Sequence, residues 1–335
     1  MTTAAPPVRR LAAGSLVAAL SLAAMARAEN DVPAGFRRFL PRGRIASLDA
    51  PQFVAGSRAS IPPEAWVLGM VVDGVARAYS LNLLNRHEVV NDLYGDRPVA
   101  VIWCPLANAG AVYSRRIQSR DLRFEPSGVL MNGSIVVQDK ETDTFWPIIL
   151  GAAAVGPLKG TPLETLPGSV KVQWKDWLRL HPDTLVLSEG GAEHIENNPY
   201  QTYIDSAYGF KGIAPTDLRL TAKDPIYAFE LGQRKFAASF AEFEEGKAFV
   251  VEGTPIFLYR PRGVAVYYST RAYVSASGFE EKNGAWVEKK TGARFDTARG
   301  GFVGGADPQR LKGFDTFWYI WSLTYPDTAL LGVTR

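Results

Sequence analysis

Two side chains in this sequence are placed to carry nucleophilic or metal chemistry: Cys104, the only cysteine, and His87. A thiol acts as nucleophile or soft-metal ligand only as the thiolate, and a neighbouring imidazole is one way to lower its pKa. The run Val99-Ala100-Val101-Ile102-Trp103 reads as a buried strand ending in Cys104-Pro105-Leu106, which presents the thiol at a sheet edge or loop mouth. His87 begins the preceding strand and Tyr94-Gly95-Asp96 is the turn between them, so residues 87–89 should lie opposite 102–104. Imidazole and thiol then meet at one end of a hairpin, as a thiolate–imidazolium pair or as two ligands for a soft metal such as copper. Asp92 either orients His87, joins the metal or serves the turn; Asn91 and Asn132 read as local-geometry residues, and Glu88 should face the side opposite His87. Against this stands a plainer reading, in which Cys104 is a small core hydrophobe and His87 a strand-end residue bonded to backbone.

Strands must position these groups. Trp66 to Leu81 has Asp73-Gly74 between two apolar runs, a hairpin signal. Further strands are expected at residues 110–115, 133–139 and 152–156, and a helix over Val170 to Leu180, stopped by His181-Pro182. Trp174-x-x-Trp177-x-x-x-His181-Pro182-Asp183-Thr184 recurs as Trp318-x-x-Trp321-x-x-x-Tyr325-Pro326-Asp327-Thr328, five identities at a constant offset of 144. A second helix is accordingly expected over Phe314 to Thr324. The fold class that follows is α+β and strand-dominated: two pseudo-symmetric repeats, each a small sheet or barrel-like unit closed by a helix. The divisions are an extended lead-in at 29–63, a first repeat at 64–188, a connector at 189–224 and a second repeat at 225–335. Cys104 and His87 belong to the first copy alone; Arg260-Pro261 stands where the first has Cys104-Pro105. What one copy alone holds is the candidate for chemistry.

Lys and Arg total 37 against 34 Asp and Glu. Arg9, Arg10 and Arg27 fall in an N-terminal segment without acidic residues, so removing it leaves 34 of each and no basic excess for nucleic acid or anionic lipid. Arg9-Arg10, the apolar run Leu11 to Met25 and Ala26-Arg27-Ala28 read as a signal peptide cleaved before Glu29. That run is shorter than the roughly 20 residues a spanning helix needs, so the mature chain should carry no integral span and be periplasmic or secreted. No nucleotide-binding loop, HExxH or nucleophile elbow is present; Gly300 to Gly305 is a glycine-rich loop without the following Lys or Ser.

The order His87-Glu88-Val89-Val90-Asn91-Asp92, Cys104-Pro105-Leu106, Asp139-x-x-Thr142-x-x-x-Trp146, Gly156-Pro157-Leu158-Lys159-Gly160 and His181-Pro182-Asp183-Thr184 resembles the DUF3179 family of uncharacterised bacterial and archaeal proteins. The resemblance runs over roughly residues 60 to 330. In that family the central motif usually reads Cys-Pro-Leu-Cys-Gly, some members with selenocysteine at the second cysteine, which implies redox chemistry on a chalcogen. Here Ala107 and Asn108 occupy those last two places. Three functions are therefore expected to compete. One is a thiol-dependent oxidoreductase, with Cys104, His87 and Asp92 as catalytic residues, reduced by an outside small-molecule or protein thiol. Another is a copper-binding protein using Cys104 and His87, and the third a structural or assembly protein with a buried cysteine.

Overall fold

The computed structural model describes residues 1, 32–33 and 35–332. Residues 2–28 of the expected export signal lie outside the described residues. Among those described, no helix is long and apolar enough to cross a membrane.

Strands dominate, and their turns fall where the backbone needs left-handed residues. Asp73 and Gly74 (φ 49° and 80°) close the hairpin of Trp66–Val72 and Val75–Ser80. Asn132 and Gly133 (φ 52° and 89°) close that of Phe124–Met131 and Ser134–Asp139, so Asn132 is a turn residue. Glycine is also required at 133 because a Cβ there would stand 2.6 Å from the Tyr319 ring.

Among the described residues up to 188 there are three sheets of four or five strands and one two-stranded ribbon, Arg116–Ile117 with Arg120–Asp121. The first has the order Val170–Gln173, Trp66–Val72, Val75–Ser80, Leu185–Ser188, Gln52–Ala55, with Leu185–Ser188 parallel to Val75–Ser80. The second has the order Thr165–Leu166, Ala109–Ser114, Arg97–Cys104, Val89–Tyr94; the third centres on Phe124–Met131 and Ser134–Asp139. Beyond residue 224 a sheet in the order Gly313–Phe317, Pro225–Leu231, Arg234–Ser239, Ala329–Leu331 again has a parallel last pair. Two more four-stranded antiparallel sheets follow it in residues 247–310.

Besides the one-turn helices Leu81–Leu84 and Gln201–Ile204, two longer helices are described, Trp174–Leu180 and Trp318–Thr324, each preceded by a strand, Val170–Gln173 and Gly313–Phe317. Both longer helices therefore begin four residues later than helical spacing predicts. Val170 to Gln173 pair with Gly69 to Trp66, and an available sheet edge outweighs the spacing. Each helix end is tied in the same way: Trp177 Nε1 donates to Thr184 Oγ1 at 2.9 Å, and Trp321 Nε1 to Thr328 Oγ1 at 2.8 Å. Residues 152–156 form isolated bridges instead of the expected strand, bracketed by Gly151 and Gly156 at positive φ. The lead-in is also more ordered than its composition implied, because Gln52–Ala55 joins a sheet through Leu185–Ser188.

One buried cluster contains Cys104, Ile102, Phe124 and Trp146 together with Phe317, Trp318 and Trp321, so the core around the thiol spans both ends of the chain. Gly69 shows how tightly the helix Trp174–Leu180 packs: a Cβ there would stand 2.4 Å from the Trp177 indole. Gly69→Val is expected to lower the unfolding free energy by about 2–3 kcal/mol, read from a urea titration with unchanged slope.

Candidate functional site

The hairpin that carries the cysteine is in the expected register, with Val89 opposite Ile102 and the Trp103 N–H donating to the Glu88 carbonyl at 2.9 Å. One residue further the strand pattern breaks. Glu88 lies in the left-handed region at φ 57°, and the N–H groups of His87 and Glu88 turn back to the Leu84 carbonyl at 3.1 and 2.7 Å. For a non-glycine residue this backbone is strained, by roughly 1–3 kcal/mol.

The break redirects His87. Its Nδ1 donates to the Ala46 carbonyl at 2.9 Å. The segment holding Ala46 and Leu48 runs along Val89–Tyr94 on the edge away from the cysteine strand, with Leu48 N–H donating to Val89 and Asn91 N–H to Leu48. The half-buried imidazole is thus turned to the outer edge, and the expected imidazole–thiol pair does not form. Asp92 is also engaged elsewhere. Its carboxylate accepts from Arg77 Nη1 and the Tyr79 hydroxyl, both at 2.5 Å, and from the Leu93 N–H at 2.7 Å. The Arg77 guanidinium in turn lies 4.3 Å from each of the Phe53 and Tyr94 rings. Among the described residues the Asp92 carboxylate is thus spent on Arg77, Tyr79 and the Leu93 N–H, and no hydrogen bond joins it to His87. Asn91 bridges strands, its amide donating to Asp49 Oδ1 and the Phe124 carbonyl.

Cys104 has no exposed surface. The Ile135 N–H donates to Sγ at 3.4 Å, and the Ala107 backbone and Ser134 hydroxyl also favour the thiolate. Burial outweighs them, and with the nearby Glu88 charge it pushes the thiol up to about 12. That is opposite to the depression an imidazolium neighbour would produce. Among the described residues no group of three or more His, Cys, Asp and Glu is placed to hold a metal.

The ionisable side chain whose charge Cys104 feels is the Glu88 carboxyl. It is 6% exposed, it has no hydrogen-bond partner among the described residues, and burial pushes it up to about 8. It faces a cavity of about 250 Å³ lined by Phe39, Leu106, Ile135, Tyr200 and Phe210, with the exposed Lys211 also in its wall. Burial and the Glu88 charge raise the Tyr200 hydroxyl as well. Sequence reasoning had placed Glu88 on the face away from His87 without following that face to the thiol. The signal available was an acidic residue directly before the apolar strand start Val89-Val90.

A model of the DUF3179 family, described as a protein of unknown function, matches residues 42–328. The chain belongs to the DUF3179 family. No curated protein and no solved structure matches it. The DUF3179 region takes in Glu88, Cys104 and the sheets on both sides of them. In the turn after Cys104, the Ala107 N–H donates to the Cys104 carbonyl at 3.2 Å, and Asn108 adopts φ 51°. Asparagine is the side-chain-bearing residue best suited to that backbone, so it can stand where the family pattern has glycine.

Proposed function

We propose that this DUF3179 protein binds a small, mainly apolar molecule with one hydrogen-bonding head group in the cavity over Glu88. The observation that carries this reading is the buried carboxyl without a partner, turned into an apolar cavity. A carboxyl near 8 is mostly protonated at pH 7, and so offers a neutral donor and acceptor to an alcohol, amide or similar head. Calorimetric titration with 1-octanol at pH 6 is expected to show saturable binding. Leu40→Trp, which fills the rim, should abolish it, and Glu88→Leu should weaken it about tenfold. No saturation in the wild type, or binding indifferent to both changes, would overturn the reading.

Thiol redox chemistry is the second reading; it rests on Glu88 as an ionisable neighbour of Cys104 able to accept its proton, although the Glu88 charge itself raises the thiol. In that scheme Glu88 takes the thiol proton and the thiolate sulfur attacks the terminal oxygen of a hydroperoxide. The O–O bond breaks, the alkoxide recovers the proton from Glu88, and Cys104 becomes a sulfenic acid. Two molecules of outside thiol return it to the thiol, releasing a disulfide and water, since Ala107 provides no second sulfur. Moving a proton from a thiol near 12 to a carboxylate near 8 costs about 5 kcal/mol, which places this reading second. The resting thiol is expected to react with iodoacetamide at pH 8 about a thousandfold more slowly than a free cysteine, and to reach the free rate in denaturant. Formation of a dimedone-trapped sulfenic acid by the folded wild type, lost in Glu88→Gln, would restore redox chemistry to first place.

The repeat and the location of the protein belong to the same proposal. We read residues 64–188 and 225–335 as two copies of one unit; the matching strand orders and tryptophan–threonine bonds support this. We also read the chain as exported, with residues 1–28 removed. Intact mass of the exported protein should begin at Glu29, and a mass that retains those residues would refute export by cleavage.

A further inference from the structure

A second cavity, of about 360 Å³, opens between Ala109–Ser114 and Val170–Gln173 on one side and Pro225–Leu231 and Gly313–Phe317 on the other. Its volume falls in the range of small-molecule pockets, and Tyr113, Tyr227, Trp321 and Tyr325 contribute an aromatic wall. Most polar groups of this wall are already engaged. The Tyr227 hydroxyl donates to the Leu311 carbonyl at 2.8 Å, and that of Tyr325 to Ile149 at 3.1 Å. Asp315 accepts from Thr270 N and Oγ1 at 3.1 and 2.6 Å and faces the buried Lys171 ammonium at 3.9 Å. Lys171 itself donates to the Asn108 carbonyl at 2.5 Å, and Glu230 is paired with Lys235.

Among the lining groups without a side-chain partner in the described residues, two donors, Tyr113 and Arg310, stand beside the exposed Lys312, with Thr165, Ser169 and Glu164 at the rim. Tyr113 is 4% exposed and its hydroxyl has no partner among the described residues. Arg310 lies exposed in the cavity wall over the Tyr273 ring at 4.6 Å, with no carboxylate in ion-pair range among the described residues. Of the lining acids, Asp315 and Glu230 are neutralised by the pairs above and Glu164 stands solvated in the exposed part of the wall. Among the described residues two unpaired cations, Arg310 and Lys312, and the free Tyr113 hydroxyl stand against one solvated carboxylate, a balance that calls for an anion, and the aromatic wall calls for an apolar body.

We propose that this inter-sheet cavity is a binding site for a small organic anion, its carboxylate-like group on Arg310 and its apolar body against Tyr113, Tyr227 and Trp321. The site is distinct from the one over Glu88: it is lined by different residues and prefers a charged head to a neutral one.

The test compares 8-anilinonaphthalene-1-sulfonate with its uncharged counterpart N-phenyl-1-naphthylamine by fluorescence titration, in the full chain carrying Leu40→Trp so that the other cavity is filled. The sulfonate is expected to bind at least about tenfold more tightly than the neutral probe. Arg310→Gln should erase that preference by weakening the sulfonate alone, and Tyr113→Phe should weaken the sulfonate while leaving the thermal midpoint unchanged. Absence of binding, equal affinity for the two probes, or a preference that survives Arg310→Gln would each overturn the proposal. A sulfonate preference present in the wild type and lost on introducing Leu40→Trp would place the anion over Glu88 and overturn it as well.

Discussion

Glu88→Gln is expected to make this protein more stable than the wild type by about 4 kcal/mol at pH 8, with the difference vanishing toward pH 4. In the fold the carboxyl holds its proton up to about pH 8, whereas in the unfolded chain it ionises near its ordinary value of 4.5. Between those values the unfolded state binds fewer protons, so raising the pH favours unfolding by about 1.4 kcal/mol per pH unit. Glutamine keeps the shape and the hydrogen-bonding head but does not titrate. Burial also lowers His181 and His194 below their usual value and takes Lys223 to about 7, so these groups add their own pH dependence. They are common to both proteins and cancel in the comparison. Urea unfolding of the pair at pH 5, 6.5 and 8 measures the difference directly, and a difference that does not grow with pH would show that Glu88 is not held as a neutral acid. A residue kept at such a cost, on a strained backbone, and turned into a cavity is the pattern expected of a working group.

The candidate site was half legible in the sequence. The hairpin, its register and the position of Cys104 at its end all followed from turn residues and apolar runs, and Val89 does lie opposite Ile102. What the sequence did not display is the left-handed backbone at Glu88, because a φ of 57° at a glutamate has no compositional signature of the kind Gly or Asn-Gly provides. That one dihedral sends His87 to the Ala46 carbonyl and leaves the glutamate as the charge felt by the thiol. The direction of the thiol's pKa then follows from what surrounds it: apolar burial and an acid, in place of an imidazolium.

The fold was more legible in its turns than in its helix starts. Asp73-Gly74 and Asn132-Gly133 announce themselves because few residue pairs accept two successive positive φ values. Val170, Trp174, Trp177 and Leu178 are spaced for a helix, yet Val170 and Val172 are also spaced for a strand, and short apolar segments carry both periods at once. Which one wins depends on a partner: Val172 pairs with Val67, and helix forms only where that edge ends, at Trp174. The cavities were not legible at all, since each is assembled from segments more than a hundred residues apart in sequence.

Asp92→Ala is expected to destabilise the protein by about 3–5 kcal/mol, with a fall in the urea midpoint at unchanged slope. The carboxylate is 3% exposed and the Arg77 side chain 13%, so removing one partner leaves a guanidinium buried between two aromatic rings without its counter-charge. Arg77 Nε is already without a hydrogen-bond partner, which makes the loss of the Nη1 contact harder to absorb. The Tyr79 hydroxyl suffers less, because it keeps the Tyr94 hydroxyl at 3.1 Å. If the penalty comes from the stranded charge, Asp92→Leu combined with Arg77→Met should recover most of it. A double variant no better than Asp92→Ala would mean that Asp92 acts through its bonds to Tyr79 and the Leu93 N–H instead. The same double variant also separates anchor from site. With Asp92 spent on Arg77 and Tyr79, the folded double variant should keep the wild-type iodoacetamide rate at Cys104 and the wild-type affinity for 1-octanol. A change in either would return Asp92 to the functional site.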